Sequence, residues 1–177
     1  MNAKFKIKPP RVLLALLLAV SFPLVIASDD FIAPEGFLAR VFAGNLPASN
    51  TVWISGDKKA IVEDILGHRA AFLRVRYWGN RDRSAWIIDE IGKTEPITIG
   101  VVIVDKQIEE IKVLAFRESR GWEIKYEFFT RQFDGVRIKD SQRLSRSIDG
   151  ISGATLSVKA MTNVSRLALY LTEFISS

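Results

Sequence analysis

The 177-residue chain contains no cysteine and a single histidine, His68. Without cysteine it has no disulfide, no thiol nucleophile and no iron–sulfur ligation. A zinc or haem site would need unusual ligands, because cysteine and histidine are the usual ones. We therefore expect no metal site, and we read His68 as a surface or capping residue.

The chain also lacks a strong net charge outside its N-terminus. Lys4, Lys6, Lys8 and Arg11 supply four positive charges before residue 27, and no acidic residue balances them. The remainder carries 21 basic and 20 acidic residues, so the formal charge of +5 comes largely from the N-terminus. A nucleic-acid partner is therefore not expected.

Long hydrophobic runs are scarce, and residues 12–26 form the one that stands out. It follows a basic head and is short for a bilayer span, and Pro23 interrupts it. Val25 and Ala27 fit the small-residue positions of a signal-peptidase site. We predict an exported protein with a cleaved signal peptide at residues 1–27, the alternative being an uncleaved N-terminal membrane anchor.

The rest of the chain reads as one α+β domain. A lead-in segment at residues 28–50 contains several proline and glycine residues, and the domain proper is expected at residues 51–177. β-branched and aromatic residues bounded by turn residues predict strands, and apolar periodicity predicts helices. The predicted strands are 52–54, 71–78, 84–91, 97–104 and 108–116, with a tight hairpin at 105–107; the predicted helices are 57–66, 121–133 and 156–175. We expect a twisted, mostly antiparallel sheet covered by packed helices, including the C-terminal one.

Two of the predicted helices have specific boundary and packing expectations. For the first, Asp57 is the expected N-cap and Gly67 the expected end. For the C-terminal helix, one apolar stripe is expected to face the core, with Lys159, Asn163 and Arg166 elsewhere around the axis. The stripe comprises Leu156, Ala160, Val164, Leu167, Leu171 and Phe174.

The segment before the C-terminal helix has the composition of a phosphate site. Ser152, Gly153, Ala154 and Thr155 are small, and a helix N-terminus presents unpaired N–H groups to an anion. Ser152 and Ser157 can donate hydroxyl hydrogen bonds to phosphate oxygens. The alternative from spacing alone is an ordinary helix start with Ser152 as N-cap.

Residues 149–155 read D-G-I-S-G-A-T and fill every position of the pattern D-x-x-S/T-G-A-T. This resembles the flavinylation motif of the FMN-binding domain family, which is related to the flavinylated subunits of the Na⁺-translocating NADH:quinone reductase and the Rnf electron-transport complex. Three further blocks are similar to that family, at residues 92–98, 118–124 and 132–135. One position departs from it, since Thr94 stands where histidine is frequent.

The resemblance implies a periplasmic flavoprotein that carries electrons on covalent FMN and is no catalyst by itself. It implies a flavin transferase, with FAD as FMN donor, as the modifying partner. The redox partners are unidentified, and a membrane electron-transfer complex is one candidate. A flavin-dependent reductase and a non-redox exported binding module remain as alternatives. The implied site residues are Thr155 (covalent FMN), Ser152, Gly153, Ala154, Ser157, Glu118, Ser119, Arg120 and Gly121 (cofactor binding) and Asp149 (transferase recognition).

Two sets of residues near the motif have more than one interpretation. Trp122 adjoins Gly121 and is the tryptophan that we would place near the flavin, whereas the other three read as core or strand residues. Residues 137–146 contain four basic side chains, at Arg137, Lys139, Arg143 and Arg146. Such a run is usually a solvated loop, but it could also attract an acidic partner or the FAD donor.

Overall fold

The structure is a computed structural model that describes residues 31–139 and 141–175. The predicted signal peptide and the first residues of the lead-in lie outside the described residues. The strands are β1 (Ser49–Trp53), β2 (Arg74–Gly79), β3 (Arg83–Ile91), β4 (Pro96–Val104) and β5 (Gln107–Ala115). The helices are α1 (Pro34–Val41), α2 (Asp57–Leu66), α3 (Glu127–Thr130) and α4 (Thr155–Thr172), with 3₁₀ turns at Trp122–Lys125 and Arg131–Phe133.

The five strands form one antiparallel sheet in the order β1-β2-β3-β4-β5. Each strand pairs with its neighbour in sequence. Short turns connect β2, β3, β4 and β5, whereas the longer connection between β1 and β2 contains α2. The β4–β5 hairpin turns at Asp105 and Lys106, whose φ angles are 49° and 61°. The predicted hairpin is confirmed, and two non-glycine residues adopt the left-handed conformation that such turns need.

Helices cover both faces of the sheet. On one face, α2, α4 and the 122–133 segment pack on a core that includes Trp86, Ile99 and Phe129. On the other face, Phe37 and Leu38 of α1 pack on Ala85, Val102 and Leu114. Because β4 is covered on both sides, all its residues except the two end ones are buried, which is why its sequence is apolar apart from Thr98.

The predicted fold class is confirmed: the molecule is a single α+β domain with an antiparallel sheet and a packed C-terminal helix. The helix α1 lies within the segment expected to be a lead-in. The predicted helix at 121–133 is broken at Tyr126, whose extended backbone has ψ 149°. A 3₁₀ turn precedes this break, and α3 and a second 3₁₀ turn follow it without interruption. Of the helices in the described part of the chain, none combines the length and hydrophobicity needed to cross a bilayer.

Three details of the helices differ from expectation. Asp57 is the first residue of α2 rather than its cap, and Gly56 occupies the cap position. Leu156 and Phe174 are expected on the buried stripe of α4 but are 46% and 47% exposed: Leu156 lies on the first turn of α4, and Phe174 follows its last residue, Thr172. Asn163 was expected away from the core and is buried, because its amide donates to the Leu66 carbonyl at 2.8 Å.

Candidate functional site

The motif at residues 149–155 lies at the start of α4, as the sequence predicts. Ala154 is the N-cap residue, Thr155 is the first helical residue, and no side chain caps the helix. The interpretation of Ser152 as N-cap is therefore wrong. A first turn without a side-chain cap leaves backbone N–H groups available to an anion, whose negative charge the helix dipole favours.

The residues of the motif divide into an exposed set and a buried set. Thr155, Ser152 and Gly153 are exposed, whereas Ala154 and Ser157 are 3% and 5% exposed. Thr155 therefore presents its hydroxyl at the surface, while its two small neighbours anchor the helix start against the domain. An enzyme acting on this hydroxyl can reach it without unfolding of the helix.

Gly121 brings the second predicted block against the motif. Its φ is +90°, and a Cβ built on it would lie 2.4 Å from Oγ of Ser157 and 3.5 Å from Cβ of Ala154. Only a glycine allows this approach and this backbone conformation together. The structure thus brings Gly121 into contact with the first turn of α4.

Glu118 holds a different turn in place. Its carboxylate accepts backbone N–H hydrogen bonds from Lys93 (2.5 Å), Thr94 (2.6 Å) and Glu95 (2.9 Å), and Oγ1 of Thr94 donates to it at 3.2 Å. The bonds from Glu95 and Thr94 are the main cause that lowers the pKa of the Glu118 carboxyl to about 2. Glu118 therefore ties the β3–β4 turn to the segment that leads into Gly121.

Gln132 belongs to the similar block at residues 132–135, and the structure shows its contact with the motif. Its side-chain oxygen accepts the N–H of Asp149 at 2.7 Å, which positions the first residue of the motif. The similarity of this block could be recognised in the sequence, but its contact with Asp149 could not be predicted from it. Each of the three flanking blocks is thus linked to the motif or to another block.

The remaining predicted site residues lie at the surface beside this contact. Asp149, Ser119 and Arg120 are exposed, and the Arg120 side chain makes no hydrogen bond or ion pair within the described residues. Trp122, next to Gly121, is 44% exposed and meets Tyr126 edge-on with ring centroids 5.4 Å apart. Trp86, by contrast, is fully buried, as expected for a core tryptophan.

Larger recesses of the surface do not coincide with the motif. A groove of about 960 Å³ runs along β5 and includes the ion pair of Arg40 with Glu110, but none of the predicted site residues lines it. His68, at the end of α2, contacts the Glu90 carboxylate at 2.9 Å. Within the described residues no cluster of acidic, histidine or cysteine side chains could hold a metal ion.

The residues at the α4 start fit a phosphate-bearing cofactor. The first turn has no side-chain cap, Gly121 keeps the space beside Ser157 free of a Cβ, and Thr155 offers an exposed hydroxyl. The N–H groups of that turn and the exposed hydroxyl of Ser152 would hold phosphate oxygens, whereas Ser157, the other predicted donor, is buried against Gly121.

The comparisons with known proteins agree with this geometry. The model of one family, the FMN-binding domain, matches residues 92–170, a range that includes all four blocks. Comparisons with curated proteins and with solved structures found no match. Residues 92–170 therefore belong to the FMN-binding domain family, and the chain is a flavin-binding protein with FMN as its cofactor.

Proposed function

We propose that this protein is an exported electron carrier whose FMN is attached covalently to Thr155. The observation that carries the proposal is the position of Thr155: it closes a complete flavinylation pattern, begins α4, and is exposed above two buried small residues. The basic head and the apolar run of the N-terminus support export.

The attachment needs a flavin transferase that uses FAD as donor. A bond forms between Oγ1 of Thr155 and the FMN phosphorus, and the pyrophosphate bond of FAD breaks. AMP leaves with the electron pair of that bond, and the hydroxyl proton is released. The exposed Asp149 side chain is available for recognition by the transferase, since Gln132 engages only its backbone N–H.

Once bound, FMN supplies chemistry in one- or two-electron steps. The chain itself holds the phosphate at the first turn of α4 and keeps Gly121 close to Ser157. Covalent attachment suits an exported protein, because a cofactor that dissociated outside the cytoplasm would diffuse away. Export, the covalent link and the carrier role form one proposal, and the covalent link is the part on which the other two depend for their test.

The test is to coexpress the protein with a flavin transferase and to denature the purified product. We expect yellow, fluorescent flavin that stays with the chain, and a Thr155 peptide whose mass is raised by the FMN adduct. Thr155→Val should lose all covalent flavin while keeping its stability within about 0.5 kcal/mol, because the side chain is exposed. Thr51→Val, at an exposed position of β1, is the matched control and should keep its flavin.

A colourless wild-type protein with an unmodified Thr155 peptide would refute the covalent proposal. Loss of folding in Thr155→Val would point to a structural role instead. The carrier is distinguished from a flavin-dependent reductase by turnover: a carrier, once reduced, passes its electrons on, whereas a reductase reduces a small acceptor repeatedly in the presence of an electron donor.

A further inference from the structure

A shallow groove of about 670 Å³ lies between the loop before the motif and α4. Four cationic side chains line it: Lys139, Arg143, Arg146 and Arg166. The loop contains one acidic residue, Asp140, which lies outside the described residues. Cations therefore outnumber acids in this region, and the groove attracts negative charge.

Backbone carbonyl groups hold two of these arginines in place, and the Asp134 carboxylate also attracts Arg146. Arg166 donates to the carbonyl oxygens of Gln142 at 2.6 Å and Ile65 at 3.0 Å, and Arg146 donates to the carbonyl of Asp134 at 3.1 Å. A carbonyl oxygen orients a guanidinium group but does not cancel its charge. These bonds therefore keep two cations fixed at the groove, and Arg166, which only carbonyl oxygens hold, stays available to an anionic partner.

The two walls of the groove, α4 and the loop before the motif, both lead to the motif. Along α4, Thr155, Lys159, Thr162 and Arg166 recur at helical spacing and are not buried, whereas every other residue from 160 to 172 is buried. Thr162 follows Thr155 by about 10 Å along the helix axis, from a rise of about 1.5 Å per residue. On the other side, the loop runs directly into Asp149. A macromolecule that reaches Thr155 from this side passes over the groove.

We propose that this groove is the docking surface for an acidic face of the flavin transferase that modifies Thr155. This inference rests on the proposed function. The transferase must bring its reacting centre to the Thr155 hydroxyl, whose position beside the groove is defined. An electron-transfer partner has only to approach the flavin ring and has no comparable need to cover this loop. Charge attraction across the groove speeds encounter and orients the motif.

The test is flavin transfer in solution with purified transferase and FAD, with the protein as the varied substrate. In Lys139→Glu/Arg143→Glu the charge of the groove is reversed at two exposed positions. We expect KM for this substrate to rise about tenfold or more with little change in kcat, because docking is weakened and the chemistry is not. Arg74→Glu/Arg76→Glu changes the charge equally on β2, and its KM should stay near the wild-type value.

Binding is measured separately with Thr155→Val, which cannot be modified, on immobilised transferase. Its Kd should weaken as salt is raised, and adding the two groove substitutions should weaken binding and flatten the salt dependence. Two controls separate weakened docking from misfolding. One is the milder variant Lys139→Gln/Arg143→Gln, and the other is a thermal melt of every variant followed by circular dichroism.

The outcomes distinguish the two proposals. If the wild-type protein accepts flavin normally and KM is the same for the groove and control variants, the docking proposal is overturned and the proposed function stands. If the wild-type protein accepts no flavin, the proposed function fails and the docking proposal fails with it.

Discussion

Gly121 is the residue whose substitution would most directly disturb the site. It lies at a positive φ and directly against Ser157, so a side chain would meet both a conformational penalty and a steric one. Gly135 also has a positive φ, of +71°, but a Cβ there would meet nothing within 4 Å. Comparing substitutions at the two glycines therefore separates the cost of backbone strain from the cost of a steric clash.

We expect Gly121→Ala to lower the free energy of unfolding by about 1–3 kcal/mol and to slow flavin attachment, because α4 must shift at its first turn. Gly135→Ala should show the backbone penalty alone and keep normal attachment. Adding Ser157→Ala to Gly121→Ala should recover part of the loss, since it removes the clashing oxygen. Urea unfolding and the flavin transfer rate measure these effects; equal losses in the two single variants would contradict the contact.

Glu118 illustrates a second role at this scale, that of a carboxylate saturated by hydrogen bonds. The sequence places it among the cofactor-binding residues, and its oxygens accept bonds from three N–H groups and a hydroxyl of the β3–β4 turn. Its folded-state pKa of about 2 lies below the ordinary value of 4.5. A depressed carboxyl pKa stabilises the fold above the ordinary pKa, and that stability is lost as pH falls toward the folded pKa.

Glu118→Gln should therefore be less stable than the wild type at neutral pH. The difference should stay constant down to about pH 4.5 and shrink as pH falls toward about 2, where the wild-type carboxyl becomes protonated as well. Urea unfolding of both proteins at a series of pH values measures this. A difference that does not vary between pH 5 and pH 2.5 would show that the carboxylate charge is not what holds the turn.

At the scale of elements, α1 shows why a helix can escape local prediction. Its eight residues include proline and glycine at the start, so the segment was expected to be irregular. Phe37 is fully buried against the second face of the sheet, where Gly100 makes room: a Cβ on Gly100 would lie 2.8 Å from the Phe37 ring. The formation of α1 depends on its contact with strands that follow it in the sequence.

Phe37→Ala should cost about 3–5 kcal/mol of unfolding free energy, as expected for truncation of a fully buried phenylalanine. Phe128→Ala is the matched control, because Phe128 is 65% exposed, and it should cost less than about 1 kcal/mol. Thermal and urea unfolding provide the measurement. A small effect of Phe37→Ala would mean that α1 is not part of the cooperative unit.

At the scale of the whole molecule, blocks far apart in the sequence meet at one region. Glu118 binds the turn that starts the first block, Gly121 contacts the helix that follows the motif, and Gln132 binds Asp149. The meander of five strands makes this possible, because consecutive antiparallel pairing returns the chain repeatedly to the same end of the sheet. The motif is thus held by Gly121 and Gln132 of the β5–α4 connection, and Glu118 ties that connection to the β3–β4 turn.

The sequence by itself determined the type of nearly every element, the export signal as a prediction, and the motif with Thr155 as its last residue. These depend on periodicity, turn residues and short patterns, which are local properties. Only the tertiary structure decided that α1 covers the second sheet face, that Leu156 and Phe174 are exposed, and that Gly121 meets Ser157. Those features depend on which surfaces meet across long stretches of chain, and local periodicity carries no information about a partner that lies dozens of residues away.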